Sequence, residues 1–141
     1  MKTTKTEHES IWREKSLEFL EKNYWREPDS ESYLVKTCQL LRKKPLKYFE
    51  IEDFRIMISQ NIGLKFLIPI ALEKLKKDIL AEGDYYEGDL LKAVLTSDKE
   101  FWKPEPKLSE ELESLILDKK DKLKDHEPDL LTSYTEWKMS L

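Results

Sequence analysis

The segment Leu64–Lys77 constrains the fold most, because it would carry apolar side chains on nearly every side of a helix. One side holds six apolar residues and the other holds two, namely Leu64, Leu67, Ile68, Ala71, Leu72 and Leu75 against Phe66 and Ile70. A helix that is apolar all round must be enclosed by other elements. The segment therefore predicts the central helix of a bundle, with a kink or a helix start near Pro69.

The rest of the chain favours short helices as partners for this central one. Only three glycines occur in 141 residues, and alternating β-branched runs typical of strands are scarce. Apolar residues instead recur at helical spacing. We therefore expect an all-α fold, a compact single-domain bundle of five to seven short helices. The further helices are expected at 16–23, up to Lys43, at 51–62, from Leu90, at 109–124 and from Leu130 to Leu141.

The helix that ends near Lys43 contains a lone cysteine and a basic cluster, and each could have a chemical role. Leu34, Cys38 and Leu41 follow a helical stripe, so the lone cysteine is expected to be a small core residue rather than a nucleophile. The basic residues 42–44 precede Pro45, where cations complement the negative end of a helix dipole. Capping is the expected role of these cations, and phosphate binding is the alternative.

Composition narrows the classes of partner. Charged residues make up 38% of the chain, with a net charge of −4, which gives no electrostatic reason to expect nucleic acid and suits a cationic protein partner. The same charge balance would also serve solubility alone. The longest apolar stretch, 66–72, is far shorter than the roughly 20 residues of a membrane span. We expect a cytoplasmic protein that does not bind membranes.

The usual marks of an enzyme are missing from the sequence. His8 and His126 are its two histidines, and both lie in strongly charged stretches. No glycine-rich phosphate loop, nucleophile elbow or zinc-ligand spacing occurs. We expect neither catalysis nor a cofactor nor a bound metal ion.

One polar segment stands out because its acidic residues lack interspersed lysine or arginine. It contains the candidate partner-binding residues Glu82, Asp84, Tyr85, Tyr86, Glu87 and Asp89, together with Gly83 and Gly88. Its spacing does not fit a calcium loop. Two interpretations remain open and are compatible. In the first, Asp84 or Asp89 caps the next helix, the glycines form turns and a tyrosine packs beneath. In the second, the carboxylates and aromatic rings recognise a basic partner.

Several of these stretches resemble bacterial contact-dependent growth inhibition (CDI) immunity proteins of a small helical class. The resemblance spans residues 17–102, and residues 80–91 are its most specific part. The other matching stretches are 34–38, 42–46, 53–58, 63–64, 67–69 and 71–73. Lys65 and the pair at 78–79 depart from the family pattern, where proline and an asparagine-proline pair are expected.

The resemblance implies a cytoplasmic antidote, with no catalytic residues, that binds the toxic C-terminal domain of a delivered effector. We expect it to occlude the active site of its cognate toxin, for which a nuclease with a cationic cleft is one candidate. The expected organisation is a polar segment at 1–15, an immunity-protein-like core at 16–103 and a helical extension at 104–141. A helical adaptor or regulatory subunit, docking through its C-terminal helix, is the alternative.

Overall fold

A computed structural model describes residues 11–27, 29 and 32–141, and it confirms the all-α class. These described residues contain no strand, only one isolated antiparallel bridge between Glu82 and Glu87. They fall into two compact units, divided between Glu50 and Ile51. Most of the predicted polar segment at 1–15, including His8, lies outside the described residues.

In its described residues, the first unit contains a helical turn at 11–13, followed by two α-helices and a short 3-10 helix. Helix α1, Leu17–Glu21, begins after Ser16, whose Oγ accepts the backbone N–H of Phe19 at 3.3 Å. Helix α2, Tyr33–Lys43, begins in the same way after Ser32. Both hydroxyls satisfy donors that a helix start leaves free. Helix α2 ends where predicted, and the 3-10 helix Leu46–Tyr48 follows Pro45.

The predicted stripe of α2 is only partly correct. Cys38 and Leu41 are buried, and burial raises the pKa of the Cys38 thiol, so this cysteine is a core residue as expected. Leu34, in contrast, is 38% exposed, so its assignment to the buried stripe was wrong. Leu34 is left exposed because the residues that α2 buries all lie in its C-terminal half.

Arg42 occupies the interior of the first unit. Its Nη1 lies 2.5 Å from Glu21 Oε1, its Nη2 donates to the carbonyl oxygen of Asn23, and its guanidinium lies 4.2 Å from the centre of the Trp25 ring. Such a buried and paired guanidinium does not offer a surface phosphate site. Arg42 still lies in the last turn of α2, where a cation complements the helix dipole.

The second unit contains seven helices within the described part of the chain. They are α3 (Ile51–Ser59), α4 (Leu64–Lys77), α5 (Asp89–Leu95), α6 (Lys99–Trp102), α7 (Pro106–Asp118), α8 (Lys120–His126) and α9 (Asp129–Met139). Helix α4 is central as predicted, with Leu67, Ile68, Ala71 and Leu72 fully buried, and it continues through Pro69 without a break.

The predicted helix at 109–124 is two helices. Pro106 opens α7 because its fixed φ suits the first position of a helix and its missing N–H is not needed there. Lys119 leaves the helical conformation between α7 and α8 and donates its N–H to the Ile116 carbonyl. This break, together with the short α6, explains why the helix count exceeds the five to seven predicted.

Helices α7 to α9 belong to the same compact unit as α3 to α6. The rings of Trp102 and Trp137 meet edge to face with 5.3 Å between their centres, and both are buried. Lys92 on α5 donates to Ser133 on α9 at 2.7 Å. The C-terminal helix is therefore packed on the unit along its Leu130 and Trp137 side.

Candidate protein-binding surface

The candidate residues lie in and beside the connection between α4 and α5, and we call residues 82–88 the acidic loop. Tyr85 is 71% and Tyr86 is 42% exposed. Glu82, Asp84 and Glu87 are also exposed, whereas Asp89 is only 3% exposed. The structure therefore brings five of the six candidates to one surface loop and places the sixth beneath it.

Asp89 holds the acidic loop together. Its Oδ1 accepts the N–H of Gly83 at 2.6 Å, and its Oδ2 accepts the N–H groups of Tyr85 at 3.1 Å and Tyr86 at 3.4 Å. The expectation that Asp84 or Asp89 caps α5 was wrong. The cap position is Gly88, and the Asp89 carboxylate satisfies donors of the preceding loop instead.

A second carboxylate, Glu52 on α3, supports the loop from below. Its Oε1 accepts the N–H of Asp84 at 2.9 Å. Arg55 binds both oxygens of Glu52 at 2.6 Å, and its Nε lies 3.9 Å from Asp89 Oδ2. The hydrogen bonds from Arg55 lower the pKa of Glu52, while partial burial opposes them. One guanidinium therefore forms a close ion pair with Glu52 and lies within ion-pair distance of Asp89.

Arg55 also packs against the exposed ring of Tyr85. Its guanidinium carbon lies 4.4 Å from the centre of the Tyr85 ring. This cation–π contact fixes the orientation of a ring that is otherwise mostly in water. Sequence reasoning missed this role, because the i, i+3 spacing of Glu52 and Arg55 indicates only an ion pair within α3.

The two glycines of the loop serve different purposes. A Cβ at Gly83 would lie 2.5 Å from Glu52 Oε1, so glycine permits the close approach of backbone and carboxylate. Gly88 has φ +89°, which side-chain-bearing residues rarely adopt, and a Cβ there would lie 2.6 Å from Leu130 Cδ1. The expected glycine turn is thus seen at Gly88.

The exposed charges of the loop differ from the buried ones. Within the described ranges, none of Glu82, Asp84 and Glu87 forms an ion pair, whereas Glu52 and Asp89 share Arg55. The loop therefore presents three uncompensated carboxylates beside two exposed phenol rings. Such a surface can attract a cationic partner at long range and anchor it at short range.

Comparison with known proteins assigns the family. The family model described as CDI immunity proteins matches residues 13–112. This chain is a CDI immunity protein. No curated protein and no solved structure matches it. The match confirms the resemblance and extends it at both ends.

The family match places the parts of this immunity protein in context. It contains the whole acidic loop and the supporting residues Glu52, Arg55 and Asp89, but neither α8 nor α9. The role that the family indicates is immunity. Among the described residues, no three metal-ligating side chains converge on a point, and no helix is both long and apolar enough to cross a membrane.

Proposed function

We propose that this immunity protein binds the C-terminal toxin domain of its CDI effector in the cytoplasm and occludes the active site. The acidic loop forms part of the contact surface. Binding alone suffices for this task, because a toxin whose substrate cannot enter is inactive. No catalytic residue is required of the immunity protein.

The observation that carries this proposal is the pattern of charge in the loop. Glu82, Asp84 and Glu87 are exposed without a described cation partner, on a loop whose backbone is already fixed. Uncompensated charge on a surface accelerates association with a partner of opposite sign. A cationic substrate cleft, such as that of a nuclease, has the complementary sign.

The aromatic rings supply the short-range part of the contact. Tyr85 and Tyr86 offer large, half-rigid surfaces with a polar tip, a combination that is enriched at protein interfaces. Because Arg55 already holds the Tyr85 ring, little side-chain freedom would be lost on binding. We expect Tyr85→Ala to weaken toxin binding by about 2 kcal/mol or more, on the scale of an interface hot spot.

The alternative of an adaptor that docks through its C-terminal helix has no support from the structure. Leu130 and Trp137, two of the apolar residues of that helix, are buried within the second unit. They pack α9 onto its own fold, so these two side chains are not available to a docking partner.

The test of the proposal reverses charge in the loop. The variant Glu82→Lys/Glu87→Lys is compared with Glu110→Lys/Glu111→Lys, which has the same change of net charge on the exposed side of α7. The partner is the C-terminal toxin domain of the cognate CDI effector. We expect the loop variant to associate at least about tenfold more slowly at low salt and to lose most of its salt dependence.

Melting curves should first show that both variants fold like the parent. Equal association rates and equal salt slopes for the loop and α7 variants would contradict a role for the loop. Failure of the parent protein to bind or to protect against the toxin would contradict the proposed function as a whole.

A further inference from the structure

A cleft lies directly beside the acidic loop, and we call it the Tyr86 cleft. It has a volume of about 350 Å³ and is lined by Tyr86, Lys92, Glu127, Asp129 and Leu130. Tyr86 comes from the loop and Lys92 from α5. The other three come from the junction of α8 and α9, which lies beyond the family match.

The position of the cleft is fixed by close packing. Gly88 leaves no room for a side chain because Leu130 packs against it, and Leu130 is itself buried. Glu127 and Asp129 lie on either side of Pro128, where the chain turns from α8 into α9. The packing of Leu130 against Gly88 therefore brings the α8–α9 junction beside the acidic loop, and Tyr86, Glu127 and Asp129 line one cleft.

The charges in the cleft are unequal. Two carboxylates face one ammonium group, and the Lys92 Nζ is already engaged as a donor to Ser133 Oγ at 2.7 Å. In the described part of the chain, neither Glu127 nor Asp129 forms an ion pair. The pKa of Tyr86 is raised by burial first and then by the negative charges of Asp89 and Glu127, which places Glu127 within electrostatic reach of the ring.

We propose that the Tyr86 cleft receives one lysine or arginine side chain of the toxin domain. The methylene groups of such a side chain would lie against Leu130 and the Tyr86 ring, and its charged end would meet Glu127 and Asp129. This inference rests on the proposed function and extends its surface: the cleft is continuous with the acidic loop through Tyr86.

The Tyr86 cleft can also contribute to the choice of partner. The loop lies inside the family match and both carboxylates of the cleft lie outside it. A side chain that enters a cleft must have its positive charge at the right position. An open acidic loop, in contrast, selects a partner mainly by the sign of its charge. We infer that α8 and α9 add positional selection to a surface that would otherwise attract many basic proteins.

The test neutralises the cleft without reversing its charge. Glu127→Gln/Asp129→Asn is compared with Asp125→Asn/Glu136→Gln, which removes the same two charges from exposed sites on α8 and α9 outside the cleft. Neither Glu127 nor Asp129 makes a described side-chain hydrogen bond. Asp129 lies in the first turn of α9, so loss of its charge should cost at most about 1 kcal/mol, and both variants should still fold cooperatively. The probe is again the C-terminal toxin domain of the cognate CDI effector.

We expect the cleft variant to raise Kd by about tenfold or more, mainly through faster dissociation, and the control to stay within about twofold. One lysine or arginine of the toxin, changed to alanine, should then cause little further loss in the cleft variant. Equal Kd values for the cleft and control variants would overturn the inference, even if the loop variants still lose binding. Absence of binding by the parent would overturn both proposals.

Discussion

Replacing Gly88 by alanine should destabilise the protein through two separable effects. The first is conformational, because Gly88 has φ +89° and a side chain in the left-handed region costs about 1 to 2 kcal/mol. The second is steric. The new Cβ would lie 2.6 Å from Leu130 Cδ1 and 3.3 Å from Leu80 Cδ2, well inside the usual carbon–carbon separation of about 3.5 to 4.0 Å. Overpacking of this kind costs about 1 to 3 kcal/mol.

Together the two effects predict a loss of about 2 to 5 kcal/mol in the free energy of unfolding. Urea denaturation followed by circular dichroism measures this loss. A second background relieves the closest steric contact: Leu130→Val removes the clashing δ-methyl group, and by itself should cost on the order of 1 kcal/mol because one buried methylene is lost. In that background Gly88→Ala should cost less than in the parent, but no less than its conformational part of about 1 to 2 kcal/mol, because the contact with Leu80 remains.

Two results would refute this reasoning. A cost below about 1 kcal/mol for Gly88→Ala would mean that the left-handed turn and the contact with Leu130 do not both constrain the site. An identical cost in the parent and Leu130→Val backgrounds would show that the two residues are not coupled, and the packing of the acidic loop on α9 would then be wrong.

Three further predictions concern the core and the loop support. Ile58→Ala and Leu72→Ala, at two fully buried positions, should each cost about 2 to 5 kcal/mol in urea unfolding, and values under about 1 kcal/mol would contradict their burial. Arg55→Met should cost about 1 to 3 kcal/mol because it leaves the Glu52 carboxylate without its cation; hydrogen exchange of the loop amides bonded to Asp89 should also quicken, and unchanged exchange would count against the support network. The folded-state pKa of Glu52 is lowered below its ordinary value of 4.5. The stability advantage of the parent over Glu52→Gln should therefore be complete at neutral pH and shrink as the pH falls below about 4.5. An advantage that stays constant down to strongly acidic pH would argue against the ion pair of Glu52 with Arg55.

Much of the fold could be predicted because burial leaves a periodic trace in the sequence. Leu67 and Leu72 lie on the predicted stripe of α4 and are buried as expected. The same logic failed at Leu34, where an apolar residue on the right spacing is turned toward solvent. Periodicity predicts which residues share a side of a helix, but it does not state how far along the helix that side is covered.

The break between α7 and α8 and the polar contacts of Arg42 could not be predicted from the sequence. Nothing in the periodic pattern of 109–124 marks Lys119, because that region carries neither glycine nor proline at the break. Arg42 looked like an exposed helix-end cation, but its side chain is buried and bonds Glu21, whose own side chain is 30% exposed. The burial of this arginine depends on contacts between segments, which local spacing does not encode.

The position of the candidate site in the sequence was predicted, but the contacts that hold its loop in place were not. Composition alone drew attention to the acidic loop. The support from Glu52 and Arg55 could not be foreseen, because Glu52 meets Asp84 across 32 positions in the sequence. Asp89 was treated as equivalent to its exposed neighbours, and only the structure separates the carboxylate that holds the loop from those that face the solvent.

The edge-to-face pair of Trp102 and Trp137 gives the second unit an optical signature of its own. Two indoles 5.3 Å apart in a fixed orientation couple electronically, so the pair should produce a near-ultraviolet circular dichroism signal that disappears when α9 separates. Comparing the loss of this signal with the loss of the far-ultraviolet helical signal of the whole chain during a melt would show, without any label, whether the two units unfold in one step or in sequence.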